Sequence, residues 1–170
     1  MNTGGALSTV YRIRMENNKK VFVEILPSLP CTLDNMSGCT LGNTVYIAGG
    51  NENGKPSNSF YYLNLEKPLE GWRKLPDFPG SPRVQPVCAV QTDVTGQQAF
   101  YLWGGFAAPS EERLASLSLD GYVYSPDLEK WTSLPAPVNE YGETVSLGGG
   151  IAAAWGDSLI LCMGGVNKDI

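Results

Sequence analysis

The 170 residues contain no histidine. That removes the commonest general base, the commonest metal ligand and every Ser-His or Cys-His nucleophile pair. Proton transfer would fall to carboxylates, and ligand capture to arginine, amides and hydroxyls. Such groups gather in two kinds of place. Behind three Gly-Gly pairs stand Asn51, Glu52 and Lys55, then Glu111, Glu112 and Arg113, then Asn167, Lys168 and Asp169. In the stretches that lead into the next apolar segment stand Asp34, Asn35, Arg83, Glu140, Tyr141 and Glu143. An arginine for a carboxylate and amides for hydroxyls suit a small, polar, anionic ligand. The plainer reading is that loops are polar because they are solvated, and Glu111-Glu112-Arg113 reads as a solvated turn. Arg83 stands apart, because the rigid Pro82 before it could aim it inward, although pairing with a neighbouring sheet would use it equally well. The expected ligand-contacting set is Arg83, Asn167, Asn51 and Glu52. No catalytic residue is assigned, and neither a metal nor a cofactor is expected.

These groups need a frame, and the frame is an internal repeat. The apolar strands T-V-Y-I-A-G-G, Q-A-F-Y-L-W-G-G and S-L-I-L-C-M-G-G stop at Gly49-Gly50, Gly104-Gly105 and Gly164-Gly165, spaced by 55 and 60 residues. Behind the first two lie an aromatic strand (Tyr61 and Tyr62, or Tyr122 and Tyr124) and a Trp-x-x-Leu-Pro string at Trp72–Pro76 and Trp131–Pro135. Val23-Glu-Ile-Leu26-Pro27 is a degenerate copy with Val in place of Trp, and Tyr11 supplies its aromatic strand. A further Gly-rich apolar segment precedes each Gly pair, at 38–42, 86–94 and 148–155.

Gly-Gly, Tyr and Trp at such a period are the kelch signature, so the fold expected is an all-β propeller built of four-stranded blades. The chain opens on half a blade (6–30), holds two blades (36–79 and 85–137) and closes on another half (148–170). About three blade equivalents do not close a ring. Completion by the rest of a longer protein or by a second copy is required, because an open arc exposes sheet edges and an apolar blade face. In such a blade, the loop behind each Gly pair and the connection between blades emerge on one face, over the channel.

Composition agrees with this frame. Twenty glycines and twelve prolines are scattered singly or in pairs, the pattern of short strands and tight turns. A net charge of −5 with no basic cluster beyond Lys19-Lys20 argues against nucleic acid or an anionic membrane surface as partner. No apolar run approaches the length of a membrane helix, and residues 1–10 lack the pattern of a signal peptide, so a periplasmic or secreted location would need an upstream signal. The cysteines at 31, 39, 88 and 162 have neither zinc-site spacing nor disulfide-scaffold density. Cys88 and Cys162 read as small buried hydrophobes in strands.

The strings Phe78-Pro79-Gly80-Ser81-Pro82-Arg83 and Gly164-Gly165-Val166-Asn167-Lys168, with Trp72, Trp103-Gly104-Gly105, Tyr124 and Trp131 between or beside them, resemble the opening blades of bacterial N-acetylneuraminate epimerases, the sialic acid mutarotases. The resemblance covers about residues 36–170, while residues 8–30 resemble the closing strands of the same proteins. That order is the order of a cyclically permuted branch. The resemblance implies a six-bladed kelch ring that interconverts the α and β anomers of sialic acid, with a carboxylate moving the proton and an arginine holding the sugar carboxylate. It also implies that the family's Glu and Arg pair falls in a blade beyond Ile170, leaving Arg83 and Asn167 as contributors at the channel mouth. The alternative is a non-catalytic kelch module that binds another protein on the same face.

Overall fold

In the computed structural model, residues 5–16, 20–107 and 116–166 are described. Their alternating apolar runs fold as short antiparallel strands between glycine-bearing turns. The amino-terminal hairpin pairs Val10–Glu16 with Lys20–Leu26. The first blade orders Ser37–Leu41, Thr44–Ala48, Phe60–Asn64 and Arg73–Leu75 side by side. The second does the same with Val87–Thr92, Gln98–Trp103, Gly121–Ser125 and Lys130–Leu134. The carboxyl-terminal hairpin pairs Ile151–Trp155 with Leu159–Met163. One turn of 3₁₀ helix, Pro68–Glu70, is the only helix among the described residues, and none there is long and apolar enough to cross a membrane.

Register shows that the repeat is real in three dimensions. Leu26, Leu75 and Leu134, each followed by proline, pair with Val10, Phe60 and Gly121, so these positions are equivalent in successive copies. Val23 therefore occupies the place of Trp72 and Trp131. Each tryptophan reaches back to the preceding copy: Trp72 Nε1 donates to the Pro27 carbonyl at 3.0 Å, and Trp131 Nε1 donates to the Pro76 carbonyl at 2.8 Å. The same Leu-Pro string thus supplies an acceptor to the next blade and holds its own last strand.

Between the two blades lies the main core. Tyr46, Ala48 and Phe60 from one sheet meet Cys88, Phe100, Leu102, Tyr122 and Tyr124 from the other, with Trp131 packed against them. Phe60 and Phe100 have ring centroids 4.9 Å apart, and Trp131 sits 4.8 Å from Phe60. Tilted and edge-on aromatic pairs of this kind add to the area they bury. A smaller core of Leu29, Leu33, Ile47 and Tyr61, lined by Val10 and Trp72, joins the hairpin to the first blade.

The Gly pairs have a steric cause. At Gly50, Gly105 and Gly165 φ is +90°, +91° and +98°, and a Cβ would come within 2.7 Å or less of the backbone leading into the same blade's first strand. The preceding glycine serves the next blade: a Cβ on Gly49 would stand 2.9 Å from the Arg83 carbonyl oxygen, and one on Gly104 would stand 2.9 Å from the Leu147 carbonyl carbon. One glycine closes the blade upon itself and its neighbour lets the following blade approach.

Candidate functional site: a polar network across two blade connections

The connections into successive blades run side by side and are tied by main-chain hydrogen bonds. Gln85 N donates to the Asn35 carbonyl at 2.7 Å, and Gly149 N donates to the Gln85 carbonyl at 3.0 Å. Asn35, Gln85 and Gly149 stand at one repeat position, two residues before the first strand of each sheet, and all three are left-handed, with φ of 52°, 50° and 73°. Left-handed asparagine is tolerated; left-handed glutamine is a strained choice. It turns the Gln85 amide alongside that of Asn35, to whose Oδ1 it donates from Nε2 at 3.3 Å.

Asp34 anchors this row. Its Oδ1 accepts from Asn35 Nδ2 and from Asn51 Nδ2, both at 2.7 Å. Asn51 is brought there because the short strand Asn51–Glu52 pairs with Leu33–Asp34 directly behind the Gly pair. Asn35 and Gln85 are exposed, while Asp34 and Asn51 are half-buried. Asp34, Asn35, Asn51 and Gln85 therefore present amide donors and acceptors from two blades in one row, a chemistry matched to hydroxyl, amide and carboxylate groups of a small ligand.

Glu52, the next residue, turns away into a pocket of hydroxyls. Its carboxylate accepts from Ser59 Oγ at 2.5 Å, Ser57 Oγ at 2.9 Å and Tyr61 Oη at 3.0 Å. Burial pushes its pKa up, but the hydrogen bonds from Ser59, Ser57 and Tyr61 together outweigh that and hold it below the usual carboxylate range. Glu52 is thus an ionised, structurally occupied group. Lys55 is exposed on the same loop.

Arg83 is placed differently from a ligand-facing guanidinium. It is 1% exposed, at the repeat position that Leu33 fills in the first blade, and that position points into the sheet interface. Its Nη1 and Nη2 donate to the two oxygens of Asp120 at 2.6 and 2.8 Å, its Nε donates to the Ser81 carbonyl at 2.9 Å, and Nη1 also reaches the Gly104 carbonyl at 3.1 Å. The Phe78 ring lies 5.3 Å below the guanidinium carbon, and a side chain on Gly80 would overlap Nη2. The string Phe78-Pro79-Gly80-Ser81-Pro82-Arg83 is therefore one clamp: an aromatic floor, room made by glycine and a fork-on-fork ion pair. Burial raises the Asp120 pKa, yet Arg83 and the Tyr122 hydroxyl at 2.5 Å hold it below its ordinary value on balance. Burial and Asp120 push Tyr122 up to about 12.

The network thus unites Asn51 with Asp34 and Asn35, residues that sequence singles out, and separates Arg83 and Glu52 from it. Asn167, Lys168 and Asp169, like Glu111, Glu112 and Arg113, lie outside the described residues. Glu140 and Tyr141 are exposed on the loop into the carboxyl-terminal hairpin, where Asn139 Nδ2 donates to Glu143 at 2.9 Å. Sequence reading misses Gln85 and Asp120. Counting back from each first strand aligns Gln85 with Asn35 and would have found the first; the second is legible only once Arg83 is seen to be buried. No group of histidine, cysteine and carboxylate side chains able to hold a metal ion occurs among the described residues.

Two four-stranded sheets in the same register, with Gly pairs and back-bonded tryptophans at equivalent places, define a segment of a kelch-type β-propeller. The sequence model of the family described as N-acetylneuraminate epimerase matches residues 26–170, and the chain belongs to that family. Among curated relatives, the N-acetylneuraminate epimerase of Pasteurella multocida (strain Pm70) is 35% identical over 144 residues, covering 85% of this chain and 34% of the relative. That of Haemophilus influenzae (strain PittEE) is 32% identical with the same coverage. The solved structure titled "Structure of YjhT" superposes with a TM-score of 0.64 at 26% identity, covering 84% of this chain and 37% of the other. The chain spans about a third of the length of the curated relatives it matches.

Proposed function

We propose that this chain is part of a kelch propeller that interconverts the α and β anomers of N-acetylneuraminate, and that it contributes binding and orientation at the channel mouth. The observation that carries this reading is the row Asp34, Asn35, Asn51 and Gln85, polar, accessible and spanning two blades, in a chain of the N-acetylneuraminate epimerase family. Mutarotation takes a proton from the anomeric hydroxyl and returns one to the ring oxygen, so that the ring opens, the anomeric carbon turns and the ring recloses. Amides that hold the glycerol hydroxyls, the N-acetyl group or the carboxylate fix the sugar while its anomeric centre is free to move. The proton-transferring carboxylate and the arginine that binds the sugar carboxylate come, on this reading, from blades of the ring outside this chain. Glu52 and Arg83 are already engaged by the protein, and their part is to hold the mouth in shape. Asn167 is the second residue after the third Gly pair, the sequence position of Glu52 rather than of Asn51, and on this reading its part, like that of Glu52, is to hold the mouth in shape.

The apolar end faces fit a ring completed by further blades. The amino-terminal hairpin matches the outer two strands of a blade and the carboxyl-terminal hairpin matches the inner two, so each needs the other half. Exchange spectroscopy by NMR on N-acetylneuraminate tests the reading. The complete propeller should accelerate anomer exchange, and this chain alone should not. Absence of acceleration by the complete propeller removes the enzymatic reading, while acceleration by the isolated chain would move the proton-transferring groups into it.

A further inference from the structure

Two cysteines face one another across the interface between the blades. Cys39 lies on the first strand of the first blade, on the face that carries Tyr46, and Cys88 lies on the first strand of the second, on the face that carries Leu102. Both faces enter the same aromatic core, with Cys88 buried in it and Cys39 packed against it. Two contacts just upstream set the register of these strands. The Asn35 carbonyl accepts from Gln85 N, and Ser37 Oγ donates to the Pro86 carbonyl. Ser37 and Pro86 are 49 residues apart, and so are Cys39 and Cys88, two residues further along each strand. The neighbouring Cys39 thiol, together with burial, raises the Cys88 pKa.

The equivalent pair at the next interface, by strand register, is Ala89 and Ala152. Small side chains are what the close approach of first strands requires, and alanine meets that need without sulfur. Cys31 lies in the other core, between the hairpin and the first blade, and Cys162 is exposed on the carboxyl-terminal hairpin, so neither shares this interface.

We propose that Cys39 and Cys88 are a redox-active pair that closes to an inter-blade disulfide when the protein meets a small-molecule disulfide. Cys39, half-buried, attacks one sulfur of that oxidant as its thiolate, forming a mixed disulfide and releasing one thiol. Cys88 attacks the Cys39 sulfur and its proton passes to the departing thiolate; the new S–S bond forms as the mixed disulfide breaks and the second thiol leaves. Two protein thiols are oxidised and one disulfide is reduced to two thiols. The bond joins the walls of two blades four residues beyond Asn35 and three beyond Gln85, and so ties the interface directly beneath the polar row.

The test is to incubate the native chain with excess oxidised glutathione, block remaining thiols by alkylation at acid quench, and map the peptides by mass spectrometry. The expected result is a loss of about 2 Da without retained glutathione, a linked peptide pair containing Cys39 and Cys88, alkylated Cys31 and Cys162, and a higher thermal midpoint than the reduced chain. The loss should vanish in Cys39→Ser and persist in Cys31→Ser. Alkylation of both Cys39 and Cys88, stable glutathione on either, or a linked pair that includes Cys31 or Cys162 overturns the proposal. Ala89→Cys/Ala152→Cys, built at the equivalent interface in a background lacking Cys39 and Cys88, guards against a folding defect in the serine variant: a linked pair there shows that the register argument holds for first strands in general, and failure to link overturns that argument.

Discussion

Tyr124 and Ile13 occupy the same position in successive copies of the repeat, yet Tyr124 is 1% exposed and Ile13 is 67% exposed. The difference lies in what faces them. Tyr124 looks from the second blade onto Tyr46 and Phe60 of the first, whereas Ile13, with Tyr11, Val23 and Ile25, forms the outward face of the amino-terminal hairpin. The other end repeats the contrast: Ile151, Trp155, Leu159, Leu161 and Met163 share the outward face of the carboxyl-terminal hairpin and are all exposed. A blade is patterned apolar on both faces, so its stability is a property of interfaces between neighbours and not of the single sheet. The lesson for the site is direct, because the polar row is assembled from two connections and exists only where two blades meet.

Side-chain truncation between the blades should have the largest effect. Phe100→Ala should cost about 3–5 kcal/mol, since the ring is fully buried between blades. Ile13→Ala and Trp155→Ala, on the end faces of this chain, should cost less than about 0.5 kcal/mol. Urea denaturation of the three variants decides, and equal losses would mean that the end faces are buried in solution. Arg83→Met comes next, at about 3 kcal/mol, the lower end of the cost of orphaning a buried partner because Asp120 is 40% exposed. Adding Asp120→Asn should restore part of that loss, and simple additivity of the two would refute the clamp.

Two equivalent glycines differ in the same way. Gly104 and Gly164 have φ of +62° and +69°, but a Cβ on Gly104 meets the Leu147 backbone while nothing lies within 4 Å of one on Gly164. Gly104→Ala should cost about 3 kcal/mol and Gly164→Ala about 1 kcal/mol, strain alone in the second case. Equal midpoints in thermal melts would remove the assigned role of the first glycine. The smallest effects are those of pH, because the groups are partly solvated. Asp120 is held below its ordinary value, so its contribution is complete above the unfolded pKa of about 3.9 and fades as pH falls below that. Tyr122 is raised to about 12, so its contribution is complete below about 10 and is lost as pH climbs towards 12. Stability measured across pH should lose the acid limb assigned to Asp120 in Arg83→Met, and an unchanged limb would assign it elsewhere.

Much of the frame can be read from the chain alone because it rests on local rules. Gly pairs with φ beyond +60° are punctuation that no other residue supplies cheaply, and strands of alternating apolar residues between them could be little else. The tryptophans and the Leu-Pro strings mark the repeat, and even the valine substitute at 23 stands where the spacing puts it. Asn51, Asp34 and Asn35 were visible as polar residues at the right places in the repeat.

Which way the polar side chains turn depends on contacts between distant segments. Arg83 has a sequence context fit for a ligand, but it occupies a position that faces the neighbouring sheet, and there Asp120, some 37 residues away, satisfies it. Glu52 stands beside Asn51 and shares its loop, but strand alternation sends the two to opposite sides, one to the Asp34 carboxylate and one to a ring of hydroxyls. Gln85 is legible only by its offset from the first strand, and what sets its amide beside Asn35 is a left-handed backbone hydrogen-bonded to another blade. Local sequence determines where a chain can turn and which face of a strand is apolar; the partners that decide a polar group's role come from other segments, 17 residues away for Asn51, 37 for Arg83 and 50 for Gln85, through contacts that form only in the folded blades.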